Sequence, residues 1–204
     1  MALDAPEYRF VSRWSVPGTV EEVSDVLSDP RELSRWWPAV YLDVEEIAPG
    51  GERGVGRRVR LHTKGFLPYT LDWELEVVAS TPPHGFAVAA IGDLAGRGEW
   101  TFEPAGDETL VTYDWRVRAE KPLLRALSPL FRPLLSANHR WAMRKGEESL
   151  VLELARRRAA TPAEKSRIPA PPAPADASPA LVLGAGAILG FAAYVLVRRL
   201  VRPR

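Results

Sequence analysis

Apolar and polar residues alternate along most of the first 118 residues, which is the period of a half-buried β-strand. Val59 and Leu61, for example, fall on one side of their segment, while Arg58 and Arg60 fall on the other. The pattern, punctuated by glycine and proline turns, predicts seven strands, over residues 8–16, 40–48, 55–63, 69–79, 85–92, 97–103 and 109–118. One apolar and one charged face per strand predicts an antiparallel sheet whose outer charges pair across strands.

Two short helices are predicted between the first two strands. Thr19 and Glu22 have the spacing of a capping box, which marks the start of a helix. Asp29-Pro30 ends that helix and begins a second one, which closes at Pro38.

A long helix is predicted near the end of the alternating region, from about Pro133 to about Arg158, after a short helical turn that Ser128-Pro129 breaks. One stripe of this helix must face the sheet, and it contains Leu135, His139, Ala142, Met143, Gly146, Leu150 and Leu154. Small residues in this stripe stand opposite large tryptophans. The helix therefore either packs tightly through the rings or leaves a cavity. A second apolar face, formed by Leu134, Trp141 and Leu152, is expected to pack on the early helices, a partner or a membrane surface.

An apolar cavity that holds a few polar groups is the usual form of a small-molecule site. The candidate ligand-binding residues are Val59, Leu61, Trp73, Phe86, Trp100, Tyr113, Trp115, His139, Met143 and Gly146. Gly146 is expected to border the gap between helix and sheet, so leucine at this position would fill the gap.

The C-terminal part of the chain differs from the rest. Residues 161–179 contain six prolines, which predicts an extended linker after a domain over residues 1–160. Residues 180–197 contain no charge and are long enough to cross a bilayer, whereas a buried core helix is the alternative. A basic tail, residues 198–204, follows. Gly186 and Gly190 form a GxxxG pattern, on which we base the hypothesis of a homodimer.

The predicted location is the cell membrane, with a single span. Residues 1–10 lack the basic start and apolar run of a signal peptide, so the domain is expected on the cytoplasmic side. The arginines after residue 197 favour the opposite orientation by the positive-inside rule, but we give the absent signal more weight.

The net charge also differs between the predicted domain and the C-terminal part of the chain. The whole chain has a net charge of +1, which excludes a dedicated nucleic-acid-binding protein. Residues 1–160 carry a net charge of −3 and residues 161–204 a net charge of +4. The absence of cysteine excludes disulfides, thiolate metal sites and cysteine nucleophiles.

Candidate chemistry is sparse. Of three histidines, His62 lies on the charged face of its strand and His84 in a turn, while His139 is the one expected to face the interior. His139 is either an acid–base residue or a structural histidine bonded to Tyr113 or to the backbone. No motif for a metal, a phosphate or a catalytic serine is present, so no metal and no cofactor are predicted.

Several short motifs together resemble one known family. They are Tyr8-Arg-Phe, Trp36-Trp37-Pro38, Gly54-Val-Gly56, Leu67-Pro68-Tyr69, Gly92-Asp93-Leu94, Val111-Thr-Tyr-Asp-Trp115 and Asn138-His139 followed by Met143. The pattern resembles a bacterial branch of the START-related, Bet v 1-like SRPBCC family, which includes polyketide cyclase/dehydrase and lipid-transport proteins. The resemblance implies an α+β helix-grip fold, in which a seven-stranded curved antiparallel sheet surrounds a long C-terminal helix. Here a transmembrane helix would follow.

The family includes binding proteins as well as enzymes, so three hypotheses stand. The first is a membrane-tethered module that binds a lipid, isoprenoid or polyketide-like molecule. The second is a cyclase or dehydratase that uses His139 for acid–base catalysis. The third is a scaffold with a filled core that binds a partner protein.

Overall fold

A computed structural model describes residues 7–120 and 122–176, with the side chains of all of these except 122–131. The strands are β1 (Glu7–Pro17), β2 (Tyr41–Pro49), β3 (Arg57–Lys64), β4 (Thr70–Thr81), β5 (Gly85–Gly92), β6 (Leu94–Ala105) and β7 (Glu108–Ala119). The helices are α1 (Val20–Leu27), α2 (Leu33–Trp36), α3 (Pro122–Arg158) and α4 (Pro162–Arg167), and short 3₁₀ turns cover Pro30–Glu32 and Glu52–Gly54.

The seven strands form one antiparallel sheet in the order β1-β7-β6-β5-β4-β3-β2. Strands β2 to β7 follow one another as a meander, and β1 joins the free edge of β7. The long helix α3 packs against this sheet. The predicted strands and the α+β helix-grip fold are therefore confirmed.

The alternation of polar and apolar residues assigned the faces of the strands correctly. Val59 and Leu61 are completely buried. On the outer face Arg60 contacts Glu45 of β2 at 2.6 Å, and Arg9 of β1 contacts Asp114 of β7 at 2.7 Å. Because these pairs are exposed, they contribute little, and the buried face supplies most of the stability.

The two early helices close one side of the sheet. The Thr19 hydroxyl accepts a hydrogen bond from the amide of Glu22, and the Glu22 carboxylate accepts one from the amide of Thr19, as the capping box predicts. Helix α2 carries Trp36, and Trp37 follows it directly. Both rings are buried in the core.

Helix α3 is longer than predicted. It begins at Pro122 and continues through Pro129 and Pro133, so the break expected at Ser128-Pro129 is wrong. A proline inside a helix removes one hydrogen bond, to the carbonyl four residues earlier, and the neighbouring bonds of the ladder remain. The buried stripe was correct in its second half, where Met143, Leu150 and Leu154 are buried.

The linker is not extended throughout. Residues Pro162–Arg167 form helix α4, because Thr161 and Glu164 make a second capping box and Pro162 occupies the first helical turn. The proline-rich composition of the segment concealed this local signal. Residues 168–176 have no regular secondary structure.

Within residues 7–120 and 122–176, no helix is long and apolar enough to cross a membrane. The span predicted over residues 180–197, the tail 198–204 and the proposed contact through Gly186 and Gly190 lie outside the described residues.

Candidate functional site

A cavity of about 160 Å³ lies between the sheet and helix α3. Every strand except β5 contributes to its wall, as do α3, the residues after α2 and the β3–β4 loop. The lining residues are Tyr8, Phe10, Trp37, Val40, Tyr41, Thr63, Lys64, Gly65, Tyr69, Leu71, Trp73, Leu94, Trp100, Tyr113, Trp115, Val117, Ala119, Leu135, Asn138, His139, Ala142 and Met143.

Six of the ten candidate ligand-binding residues lie on this wall: Trp73, Trp100, Tyr113, Trp115, His139 and Met143. The other four do not. Val59 and Leu61 are sealed in the core. Phe86 stacks on Trp100, with ring centroids 6.1 Å apart, and lies beside it on the side of Trp100 away from Tyr113.

Gly146 is in contact with Trp37 instead of empty space. A Cβ atom at Gly146 would lie only 2.6 Å from Cε2 of Trp37, so the ring fills the gap that the sequence predicted here. The space lies about one helical turn earlier, beside Ala142 and His139.

Stacked aromatic rings form the sheet side of the cavity. The rings of Trp100 and Tyr113 lie 4.0 Å apart, and those of Tyr113 and Trp115 lie 5.6 Å apart, both nearly parallel. Gly98 makes room for this stack, since a Cβ atom there would be 2.7 Å from the Tyr113 hydroxyl. The wall is therefore a fixed apolar surface.

The phenol groups of Tyr41 and Tyr113 belong to the polar part of the cavity wall, together with the phenol of Tyr69 and the indole N–H of Trp37. Within the part of the chain that the structure describes, the hydroxyls of Tyr41 and Tyr113 have no hydrogen-bond partner. Burial raises the pKa of both phenols well above the usual value. Both therefore stay protonated at neutral pH and are available to donate a hydrogen bond to a ligand.

His139 is a neutral group at the helix side of the cavity. Its Nε2 lies 3.2 Å from the Ser12 hydroxyl, and its ring stacks on Phe10 at 4.3 Å. Burial, assisted by the nearby charge of Arg140, lowers the pKa of His139 to about 4. The hydrogen bond expected with Tyr113 is not formed. The partner is Ser12, which lies 127 positions away along the chain.

Asn138 ties the helix to the β3–β4 loop beside the cavity. Its Oδ1 accepts a hydrogen bond from the amide of Leu67 at 3.3 Å, and it contacts Gly65, where any side chain would overlap with the amide group. Trp73 on the opposite wall donates its indole N–H to Thr63 at 3.0 Å. The polar groups around Asn138 and Trp73 are therefore satisfied within the protein.

The cavity wall contains no carboxylate among the residues described, and those residues include no cluster that could hold a metal ion. The two other histidines lie elsewhere. His62 contacts Asp72 at 2.6 Å on the outer face of the sheet, a partner that sequence reasoning did not name, and His84 is exposed in the β4–β5 turn. Apart from the ammonium group of Lys64, the described wall thus provides apolar surface and neutral hydrogen-bonding groups.

Sequence reasoning missed several lining residues. Tyr8 and Phe10 belong to the alternating pattern of β1, which the burial of the strand follows, and could have been included. Ala142 lies in the predicted helix stripe. Trp37 lies in the irregular connection after α2, where no periodic signal points toward the cavity, and Tyr41 is the first residue of β2.

The pKa of His139 predicts a pH dependence of stability. Below pH 6.5 the unfolded chain binds a proton that the folded chain does not bind until about pH 4, so the free energy of unfolding falls as the pH falls through this interval. We expect a loss of about 2 kcal/mol from this group, allowing for partial solvent screening. Urea unfolding at pH 7 and pH 4.5 measures it.

The control compares the same substitution, histidine to glutamine, at two positions. His139→Gln is expected to reduce the loss of stability between the two pH values, whereas His84→Gln, in the exposed turn, leaves it unchanged. Equal slopes in the two variants would contradict the burial of a neutral imidazole at position 139.

Solved structures with the same fold are numerous. A Thermus thermophilus protein is 21% identical with a TM-score of 0.57, covering 72% of this chain and 99% of its own. The Zhui aromatase/cyclase of Streptomyces sp. R1128 is 18% identical with a TM-score of 0.60, covering 76% and 98%. A norcoclaurine synthase point mutant of Thalictrum flavum is 19% identical with a TM-score of 0.50, covering 74% and 98%. At these identities the likeness concerns the fold alone.

No curated protein matches the chain. A family described as polyketide cyclase / dehydrase and lipid transport matches residues 9–154, which is most of the chain and includes β2 to β7, all but the first two residues of β1 and the cavity-facing part of α3. The resemblance seen in the short motifs, the fold and the cavity between sheet and helix agree with this match: the chain belongs to the polyketide cyclase / dehydrase and lipid transport family.

Proposed function

We propose that this protein is a membrane-tethered module that binds a hydrophobic small molecule between the sheet and helix α3. The observation that carries the proposal is the cavity of about 160 Å³, with its stacked aromatic wall and two unpartnered phenols. A filled core, as the scaffold hypothesis requires, would leave no such space.

The size of the cavity limits the ligand. A cavity of about 150 Å³ in another protein holds one benzene molecule, whereas sites for drug-sized ligands measure roughly 300–1,000 Å³. The part of the ligand that enters is therefore about one aromatic or isoprenoid unit. Tyr41 and Tyr113 favour a ligand that presents an oxygen acceptor, because each phenol gains a hydrogen bond that it lacks in the empty cavity.

The enzyme hypothesis finds less support. A cyclase or dehydratase with His139 as its acid–base residue requires an imidazole that exchanges protons near neutral pH. A pKa of about 4 keeps His139 neutral at pH 7, so the imidazolium that would act as the general acid is scarce and the neutral ring is a weak base. Its neutral ring is suited to orienting a bound molecule.

The tether rests on the sequence. Residues 180–197 contain no charge, and arginines follow at 198 and 199. A single span of this kind would hold the domain near the cytoplasmic side of the cell membrane and raise the rate at which it meets membrane-dissolved ligands. Pairing of two spans through Gly186 and Gly190 stays a separate prediction.

Binding of p-cresol and toluene to the full-length chain tests the function. The two probes share one ring, and only p-cresol carries a hydroxyl. We expect both to quench the fluorescence of the cavity tryptophans, with p-cresol binding more tightly. Tyr113→Phe is expected to weaken p-cresol binding about 5- to 10-fold, since one hydrogen bond is worth about 1 kcal/mol.

Toluene binding to the same variant is the internal control, because its affinity depends on shape and stays within twofold. Native mass spectrometry of the purified chain supplies a second readout, the mass of any small molecule that co-purifies. If neither probe binds and nothing co-purifies, the proposed function is wrong.

A further inference from the structure

The chain reverses direction after helix α3. Arg158, the last residue of the helix, is held by the Glu22 carboxylate at 2.7 Å and by the carbonyl of Pro17 at 3.0 Å. Helix α4 makes the turn. Residues 168–176, which we term the strap, then return toward the rest of the domain.

Two side chains fasten the strap. Arg156 of α3 donates a hydrogen bond to the carbonyl of Pro169, and Lys64 of β3 donates one to the carbonyl of Ala175 at 2.6 Å. Between these contacts Pro171 and Pro172 are half-buried. Proline-rich backbone is stiff, so two attachments suffice to define its course.

The second attachment lies at the edge of the cavity. Lys64 is the last residue of β3 and, with Gly65, belongs to the cavity wall. Gly65 contacts Asn138 of helix α3, which also lines the cavity. The strap therefore places Asp176 at the rim of the cavity, on the side of the β3–β4 loop.

This course of the strap shortens the part of the linker that is free to move. A free linker over residues 161–179 would span up to roughly 60 Å, and the domain would take any orientation relative to the bilayer. With the strap fastened, only residues 177–179 separate Asp176 from the apolar segment that begins at Ala180. That distance is at most about 14 Å.

The adjoining part of helix α3 carries exposed positive charge. Arg132, Arg140 and Arg144 are spaced eight and four residues apart and share one face of the helix. Arg132 lies over the ring of Tyr8. Among the described residues none of the three forms an ion pair. Arg140 and Arg144 directly follow the cavity residues His139 and Met143, so this charge borders the cavity.

We propose that the strap orients the domain with the cavity rim against an anionic bilayer, so that the ligand passes between the cavity and the membrane surface. This inference rests on the membrane tether of the proposed function. The short remaining linker brings the rim to the surface, and anionic lipid head groups attract the arginine face at about 1 kcal/mol per side chain near the surface.

Depth-dependent quenching tests the orientation. The chain contains no cysteine, so a single introduced thiol can carry a fluorescent label. Pro68→Cys labels the β3–β4 loop at the rim, and Asp107→Cys labels the β6–β7 turn at the opposite end of the sheet. The labelled full-length chain is reconstituted into vesicles of phosphatidylcholine and phosphatidylglycerol that contain a head-group spin-labelled lipid. We expect at least fivefold stronger quenching at position 68.

Variants of the strap test whether its two attachments cause the difference in quenching between positions 68 and 107. Lys64→Gln with Arg156→Gln removes both attachments, and a ten-residue Gly-Ser insertion after Asp176 lengthens the tether without altering the domain. Each is expected to reduce the ratio of quenching between the two positions to below twofold. Lys165→Gln with Arg167→Gln removes the same charge from α4 and is expected to retain the ratio.

The outcomes separate the two proposals. Equal quenching at positions 68 and 107 in the otherwise unaltered chain overturns the orientation, even where p-cresol binds. A retained ratio in both strap variants overturns the role of the strap. Failure of the chain to float with the vesicles overturns the tether and the orientation together. Failure to bind p-cresol, with the ratio intact, contradicts the ligand-binding function alone.

Discussion

Gly146→Leu is expected to destabilise the domain by about 3 kcal/mol, without acting through the cavity. The ring of Trp37 lies against the backbone of Gly146, and a leucine side chain would have to displace it. Trp37 is itself packed against Trp14, Trp36 and Tyr41, with ring centroids between 5.2 and 5.7 Å away, so its displacement disturbs the core. Urea unfolding of the full-length chain, followed by tryptophan fluorescence, measures the loss.

A second substitution that makes room for the leucine provides the control for Gly146→Leu. Trp37→Leu removes the ring that the new side chain meets, and the double variant is expected to recover at least half of the lost stability relative to Gly146→Leu alone. A fully stable Gly146→Leu variant with weakened p-cresol binding would instead indicate that the empty space lies at Gly146, as the sequence alone suggested.

Gly146 and Ala142 show how much of the candidate site could be predicted from the sequence. The helical period correctly grouped both residues on the face toward the sheet, because that period is a local property of the chain. Which of them borders empty space depends on Trp37, which lies 109 positions before Gly146 and belongs to a different element. No local pattern contains that information.

An ion pair whose carboxylate is buried joins helix α2, two residues before Trp37, to helix α3. Arg35 of α2 donates two hydrogen bonds to Glu153 of α3, at 2.8 and 3.0 Å, and Arg157 donates a third at 3.0 Å. Burial opposes ionisation of Glu153, but the hydrogen bonds from Arg35 and Arg157 outweigh it and keep its pKa below the usual value. Arg35 and Glu153 lie 118 positions apart, so their pairing was not accessible from sequence spacing.

The strands were more predictable than the site for a similar reason. Neighbouring strands in this sheet are mostly consecutive in the chain, so the alternation and the turns determine both faces and pairing. The cavity wall, in contrast, combines six strands and a helix, and its shape depends on how strongly the sheet curves. Phe86 shows the difference: it was selected as an apolar strand residue, yet it lies next to Trp100 without lining the cavity.

Ala142→Phe is expected to abolish binding of both probes, with at least a 30-fold loss of affinity for p-cresol and for toluene. Ala142 lines the cavity, and a ring of benzene size fits the volume available there. Because the added ring occupies empty space, the free energy of unfolding is expected to stay the same or to rise. Titration by tryptophan fluorescence and urea unfolding measure the two effects.

Ala137→Phe is the matched control. Ala137 lies on the same helix and is also half-buried, but it does not line the cavity, so probe affinity is expected to stay within twofold. Unaltered binding in Ala142→Phe would mean that the probes bind elsewhere. A loss of stability without a loss of binding would mean that helix α3 and the sheet are already in contact at Ala142. The selective result, lost binding in a stable domain, requires an open cavity beside Ala142, which is the feature on which the proposed function rests.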